Sequence, residues 1–195
     1  MKNPNDLHPQ PGDALLIVDV QNDFLPGGSL AVPMSDEIVP VLNRYLNILS
    51  ALPVFATRDW HPVQHCSFRA EGGPWPPHCI ADTFGAEFAA TLQLPPSAVI
   101  ISKAATLEQD AYSGFQDTNL DSLLRASNIR RLFIGGLATD YCVLNTVRDA
   151  LKLGYQVLLL GDAIRAVMPG DGQRAEKEMI SLGAQRIMVE AVTVL

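Results

Sequence analysis

The chain has 195 residues, of which 48% are hydrophobic and 18% are charged, a composition typical of a globular protein. We expect one domain over residues 1–195, because a chain of this length can bury a sizeable core without a second domain. The net charge of −7 makes nucleic acid and anionic membranes unexpected as partners.

The first residues and the cysteines indicate the cellular compartment. Residues 1–13 are polar and carry no apolar signal-peptide core, so they predict a polar N-terminal arm. The apolar run that follows, residues 14–18, is far too short to span a bilayer. The three cysteines are an odd number at scattered positions and form no disulfide framework. We therefore predict a cytoplasmic protein.

Apolar runs alternate with segments of helical periodicity along the chain. The predicted strands are residues 14–20, 53–57, 98–102, 132–134, 156–160 and 186–189. The predicted helices are residues 35–49, 84–92, 120–126, 139–153 and 171–182, with Ser35 and Thr139 as N-cap residues. Strands that alternate with helices favour right-handed crossovers and a sheet covered on both faces. The sequence thus predicts a Rossmann-like, three-layer α/β/α fold with a six-stranded, mainly parallel sheet.

Cys142 follows a buried strand and lies in the first turn of the next predicted helix. The positive end of a helix dipole favours a thiolate, and the unpaired backbone N–H groups of such a turn can form an oxyanion hole. Ligands of open parallel sheets bind beyond the carboxyl ends of the strands, where this turn is expected. The pattern predicts a cysteine nucleophile, with a buried structural cysteine as the alternative.

Asp19 and Lys103 each stand at the carboxyl end of a predicted strand. A carboxylate beside the apolar residues 15–18 is costly unless it is paired or used. Burial raises the pKa of a carboxyl group and a nearby ammonium lowers it, so the balance can leave a base able to take a thiol proton. We predict that Asp19 is this base and that Lys103 is its ammonium partner. A purely structural ion pair is the alternative.

Three of the four histidines lie within residues 61–78, close behind Asp59. A carboxylate and imidazoles on a Pro-flanked backbone suit a divalent ion such as zinc, iron or manganese. Asp59, His61 and His78 would leave open coordination positions, as a ligand-binding metal requires. His65 is either a fourth ligand or a supporting neighbour. Solvated loop histidines are the alternative to a metal site.

Aromatic and apolar residues follow these polar groups closely. Phe24 and Tyr112, in the loops after Asp19 and Lys103, can wall a small flat pocket, although core packing is the default for either one. The glycine pairs at 27–28 and 135–136 match neither GxGxxG nor GKS/GKT, so no nucleotide site is predicted.

Five motifs occur in order between residues 14 and 165. They are DVQNDF at 19–24, RDWHP at 58–62, WPPHC at 75–79, DAYSGF at 110–115 and GLATDYCV at 136–143, with Lys103 ahead of the fourth. Together they resemble the motifs of the nicotinamidases, also called pyrazinamidases, which belong to the isochorismatase-like cysteine hydrolases. The segments around the Asp, the Lys and the Cys mark the superfamily broadly, whereas the histidine segment with WPPHC is more specific for nicotinamidases.

The resemblance implies the catalytic groups. It implies a triad of Asp19, Lys103 and Cys142. It also implies an oxyanion hole from the backbone N–H groups of Ala138 and Cys142, with a cis peptide bond between Leu137 and Ala138. The implied reaction is hydrolysis of nicotinamide to nicotinate and ammonia through a Cys142 thioester, as part of NAD salvage, and pyrazinamide is a further implied substrate.

The resemblance also implies a metal and a pocket. The implied metal ligands are Asp59, His61 and His78. The ion is most simply Zn²⁺, with Fe²⁺ or Mn²⁺ as alternatives, and it orients the pyridine ring. The residues implied to line the substrate pocket are Phe24, Leu30, Trp75, Tyr112 and Ala138. The role of His65 stays open, because relatives differ in the spacing of this loop.

Three other functions remain compatible with the residues. One is another small-amide hydrolase of the same superfamily. A second is direct hydrolysis by the metal, with Cys142 structural. A third is a non-catalytic metal- or ligand-binding protein, because a fold does not determine a function. A homo-oligomer is also compatible with the sequence.

Overall fold

The computed structural model describes residues 7–192, which contain six strands and four α-helices; the helices and strands alternate except between the second and third strands, where the connection holds only 3-10 turns. The strands are β1 Asp13–Val18, β2 Val54–Asp59, β3 Val99–Lys103, β4 Arg131–Leu137, β5 Gln156–Arg165 and β6 Gln185–Ile187. The helices are α1 Ile38–Ile48, α2 Leu120–Ala126, α3 Leu144–Lys152 and α4 Pro169–Ser181. Residues 1–6 of the predicted N-terminal arm lie outside the described part of the chain.

The six strands form one sheet in the order β3-β2-β1-β4-β5-β6, and every neighbouring pair is parallel. The predicted parallel sheet is therefore confirmed. The chain builds outward from β1 to β3 and then returns to place β4 on the other side of β1. At such a switch point the two connections leave in opposite directions and open a crevice at the carboxyl ends of the strands. In this protein the crevice lies between β1 and β4.

The alternation of side chains along β1 separates two apolar layers. Leu15 and Ile17 pack in the layer that contains α1. Leu16 and Val18 pack in the opposite layer, which contains α2, α3 and α4. All four side chains are fully buried, as expected for a continuous apolar run in a parallel strand covered on both faces. The three-layer α/β/α prediction is confirmed.

The predicted helix over residues 84–92 is wrong. Only Phe84–Ala86 forms a short 3-10 turn, and Glu87 is already extended. The backbone here pairs with the loop after β1 instead, because Asn22 N–H donates to Glu87 O at 2.9 Å and Ala89 N–H donates to Val20 O at 2.9 Å. Long-range backbone pairing has overridden a local helical pattern.

The two predicted N-caps are also wrong. The buried Ser35 hydroxyl donates to the carbonyl of Phe24 at 2.8 Å, and a 3-10 turn, Ser35–Glu37, precedes α1. Thr139 lies inside a wide turn, Thr139–Val143, which begins after Ala138 and makes no side-chain capping bond there. In both cases the residue type located the start of the helical segment to within a few residues, but the hydroxyl does not cap it.

The longest described helix, α4, has 13 residues. Among residues 7–192, no helix has the length and apolar character needed to cross a membrane.

Gly136 is required where β4 passes β1. Its φ is +134°, and a Cβ atom would collide with the backbone of Val18. We expect Gly136→Ala to lower the free energy of unfolding by about 3–5 kcal/mol, because the backbones of β1 and β4 must move apart to admit the Cβ atom. Gly27 is the matched control, because its φ is +90° but nothing lies within 4 Å of a Cβ there. Gly27→Ala should cost only about 1–2 kcal/mol. Equal losses in urea denaturation would contradict the packing argument.

Candidate active site

Asp19 is the residue at which the chain leaves β1. Its φ of +49° turns the backbone out of the sheet, and its side chain is fully buried. The Thr57 hydroxyl donates to Oδ1 at 2.6 Å, while Oδ2 faces Lys103 Nζ at 3.0 Å. Burial raises the pKa of Asp19 above its ordinary value, and the Lys103 charge opposes this rise. Oδ2 makes no well-directed hydrogen bond to another described residue, so it is the oxygen available to receive a proton.

Lys103 ends β3, two strands away from β1, and its side chain reaches across the end of β2. Nζ lies 2.5 Å from Asp59 Oδ1 and 3.0 Å from Asp19 Oδ2. It also donates to the Ala111 carbonyl at 2.9 Å and lies 3.4 Å from Cys142 Sγ. Burial alone would lower the pKa of Lys103, but Asp19 and Asp59 together outweigh it and hold this pKa well above its ordinary value. The ammonium is therefore charged.

Cys142 lies in the wide turn Thr139–Val143, directly ahead of α3. The N–H groups of Tyr141 and Val143 both donate to the carbonyl of Ala138 at 3.1 Å. The peptide bond between Leu137 and Ala138 is cis, as the resemblance implied. The chain leaves β4 at this turn. Cys142 therefore lies on the β4 side of the crevice, opposite the end of β1.

The thiol of Cys142 is held close to two carboxylates. Oxygens of Asp19 and Asp59 and the sulfur of Cys142 all lie within 4.8 Å of one another. Burial raises the pKa of Cys142 well above its ordinary value; Lys103 opposes this rise and the two carboxylates add to it. The resting thiol therefore carries its proton, with a carboxylate beside it that can accept that proton.

Asp59, His61 and His78 form a second group, whose candidate ligand atoms also lie within 4.8 Å of one another. His61 Nδ1 lies 3.1 Å from the carbonyl of Ala104, and His78 Nδ1 lies 2.8 Å from that of Pro76. A ring that donates from Nδ1 to a carbonyl keeps a bare Nε2, which is how metal-ligating histidines are usually oriented. All three side chains are buried.

His61 Nε2 provides the test of whether a metal ion fits. This atom is buried and has no hydrogen-bond partner among the described residues, and Asp59 Oδ2 lies 3.7 Å from it. Burial, helped by the His78 and His65 rings, lowers the pKa of His61 to about 3, so the imidazole is neutral and its lone pair is free. Two imidazoles and a carboxylate are a donor set for zinc, iron or manganese.

His65 differs from the other two histidines of this loop. Its Nδ1 lies 2.7 Å from the Ser67 hydroxyl and its Nε2 lies 3.1 Å from the carbonyl of Gln109. Its ring stacks on His61, with the ring centroids 4.1 Å apart. Because both nitrogens already have protein partners, the geometry favours a supporting role for His65 over a fourth ligand.

A small cavity opens beside both groups. Asp59, His78 and Cys142 reach it. The residues predicted to line the pocket all lie on its wall: Phe24, Leu30, Trp75, Tyr112 and Ala138. Trp75 Nε1 donates to the Tyr112 hydroxyl at 3.0 Å, which ties two walls together. The cavity thus joins a thiol and two candidate metal ligands on an otherwise mainly apolar surface.

The sequence reasoning missed several residues of this site. Tyr141, Val32 and Val167 complete the cavity wall. Asp140 accepts hydrogen bonds from the N–H groups of Val167 at 3.0 Å and Met168 at 3.2 Å, and so fixes the segment after β5. Tyr141 and Asp140 could have been predicted from their position within two residues of Cys142 in the sequence. Nothing in the sequence indicates Val32 or Val167, because each comes from an irregular segment distant in the chain.

The chain matches the Isochorismatase domain over residues 13–191 and belongs to that family. Within it, the chain is 40% identical to the nicotinamidase of Escherichia coli (strain K12), over 89% of this chain and 93% of that protein. The pyrazinamidase of Pyrococcus horikoshii, solved in complex with zinc, is 48% identical with a TM-score of 0.88, covering 91% of this chain and 99% of that chain. PnC1 from L. infantum, solved in complex with nicotinate, is 35% identical with a TM-score of 0.88, covering 95% of this chain and 96% of that chain.

Proposed function

We propose that this protein is a nicotinamidase, which hydrolyses nicotinamide to nicotinate and ammonia in NAD salvage and also accepts pyrazinamide. The observation that carries the proposal is the shared cavity, because one apolar space meets both the Cys142 thiol and the ligand group that contains Asp59 and His78. A pyridine amide needs both, one for its carboxamide and one for its ring nitrogen. The similarity to a nicotinamidase and to a nicotinate complex supports the same substrate class.

The first half of the reaction is transfer of the acyl group to sulfur. Asp19 takes the proton of the Cys142 thiol, and the thiolate attacks the carboxamide carbon. The backbone N–H groups of Ala138 and Cys142 stabilise the resulting oxyanion. When the C–N bond breaks, Asp19 returns the proton to the leaving nitrogen, so ammonia departs and a thioester remains on Cys142. Lys103 keeps Asp19 ionised at the start and partly balances the charge that develops.

The second half of the reaction hydrolyses the thioester and regenerates the Cys142 thiol. Asp19, ionised again, takes a proton from a water molecule that attacks the thioester carbon. The C–S bond breaks, the sulfur recovers a proton from Asp19, and the acid leaves as nicotinate after its carboxyl group loses the second proton of the water to solvent. Each proton removed is returned, so the enzyme ends in its resting state.

We propose that Asp59, His61 and His78 hold a divalent metal, most simply zinc, and that iron or manganese can replace it. When bound, the ion supplies a Lewis acid that orients the pyridine ring through its nitrogen. The aromatic side chains of Phe24, Trp75 and Tyr112 enclose the flat ring. We further propose a cytoplasmic enzyme, since Cys66, Cys79 and Cys142 are all free thiols.

The test compares ammonia release from nicotinamide and from benzamide, which has the same shape without the ring nitrogen. We expect the metal-loaded enzyme to prefer nicotinamide by about 100-fold or more in kcat/KM, because a site built for a polar atom rejects an analogue that lacks it. Removal of the metal by chelation should abolish the difference. Better turnover of a small aliphatic amide would favour another hydrolase of the family. Bound metal without turnover of any amide would favour a binding protein.

A further inference from the structure

The side-chain amide of Gln21 replaces a missing piece of strand. The last register pair between β1 and β2 is Val18 with Thr57, and the chain leaves β1 at Asp19. The end of β2 at Asp59 therefore has no β1 residue in register beside it. Gln21 is fully buried and fills this gap. Its Oε1 accepts from Asp59 N–H at 2.8 Å and its Nε2 donates to Asp59 O at 2.8 Å. One amide therefore holds both backbone polar groups of Asp59, as a neighbouring strand would.

A third bond fixes the orientation of that amide. Nε2 also donates to the carbonyl of Ala86 at 2.9 Å. A reversed amide would set oxygen against two carbonyls and N–H against N–H, so only one orientation satisfies all three partners. The backbone of Gln21 additionally pairs with Phe88. Gln21 is thus anchored from both its side chain and its backbone.

The position of Asp59 affects both the group around Lys103 and the group of candidate metal ligands. Its Oδ1 accepts from Lys103 Nζ at 2.5 Å, and its Oδ2 lies 3.7 Å from the unpartnered His61 Nε2. A shift of its backbone would move the carboxylate away from the histidine ligands. On the β3 side Asp59 is in register with Lys103, and the Trp60 N–H donates to the Lys103 carbonyl at 3.1 Å. The N–H and C=O of Asp59 itself both bond to Gln21, so β3 does not replace these two bonds.

We propose that Gln21 is a positioning residue for the metal: its amide holds the backbone of Asp59 so that the carboxylate meets His61 and His78. This inference rests on the metal site in the proposed function. It adds a residue that does not touch the ion and yet determines how tightly the ion binds.

The test measures zinc affinity of the full-length protein, stripped of metal and titrated in competition with a chromogenic chelator. Gln21→Met keeps the length of the side chain and removes all three hydrogen bonds. We expect it to weaken zinc binding about 10–100-fold, as loss of an outer hydrogen bond to a metal site typically does. Hydrogen exchange at the Asp59 amide should also become faster in the metal-free variant.

Tyr45→Phe is the matched control. It removes a partly buried hydrogen bond, from the hydroxyl of Tyr45 on α1 to Asp162 at 2.8 Å, outside the metal group. Its zinc affinity should equal that of the wild type, even where its thermal stability falls. If Gln21→Met does not fold, Gln21→Asn takes its place, because the same amide on a side chain one methylene shorter does not reach the Asp59 backbone groups.

The outcomes separate the two proposals. Wild-type affinity in the Gln21 variant, or equal weakening in Tyr45→Phe, overturns the positioning role and leaves the metal site standing. A wild-type protein that takes up no zinc, iron or manganese overturns the metal site itself, and the positioning role with it.

Discussion

Replacement of Cys142 by alanine is expected to lower kcat/KM for nicotinamide at least about 10⁴-fold. The buried carboxylate of Asp19 has then lost the thiol beside it, and no thioester can form at position 142. Binding should survive, because the candidate metal ligands and the aromatic walls are unchanged. The measurement is ammonia release, accompanied by mass spectrometry of the acid-quenched wild-type enzyme, which should carry the nicotinoyl thioester on Cys142.

Cys66→Ala is the control for this substitution, since Cys66 is a free thiol that does not line the cavity. It should retain wild-type turnover. Substantial ammonia release by Cys142→Ala would sink the thiol mechanism and transfer the chemistry to the metal, with Cys142 left as a packing residue.

Replacement of Lys103 by methionine is expected to cost both stability and activity. The side chain is 1% exposed and its ammonium faces two buried carboxylates at 2.5 and 3.0 Å. Removing one partner of a buried ion pair typically costs about 3–5 kcal/mol, because the remaining charge is left uncompensated. One carboxyl group should then stay protonated near neutral pH. A protonated Asp19 cannot act as a base, so we expect a loss in kcat of about 10²–10⁴-fold.

Urea denaturation and ammonia release measure the two effects separately. Lys152→Met is the matched control, because Lys152 is exposed at the end of α3 and should change the free energy of unfolding by less than about 0.5 kcal/mol. A Lys103→Met protein as stable as this control would show that the ammonium does not offset the burial of the two carboxylates.

Periodicity predicted the sheet well because its central strands are buried on both faces. The run at residues 14–18 leaves no other place for its side chains than between two layers of helices. The same argument located Asp19, Lys103 and Cys142 at strand ends, and the structure brings their side chains together. Their catalytic roles stay predictions until the substitutions are measured.

Periodicity in the sequence could not predict the conformation of the loops. Nothing local to residues 84–92 indicates that their backbone pairs with the loop after β1, since the partner is distant in the chain. Nor could the sequence show that Asp59 shares its carboxylate between Lys103 and the histidine group. That contact depends on β2 lying between β1 and β3, which is a property of the sheet order.

The connection between β2 and β3, residues 60–98, has a consequence for how this family can diversify. It carries His61, His78 and Trp75, whereas the proposed nucleophile Cys142 and its proposed base Asp19 follow β4 and β1. Surface connections tolerate insertion and replacement far better than central strands. Evolution can therefore remodel the part that selects the substrate while it retains the part that cleaves it. Asp59 is the exception, because it contacts both Lys103 and the histidine group. It therefore limits how independently the sequences of the two parts can change.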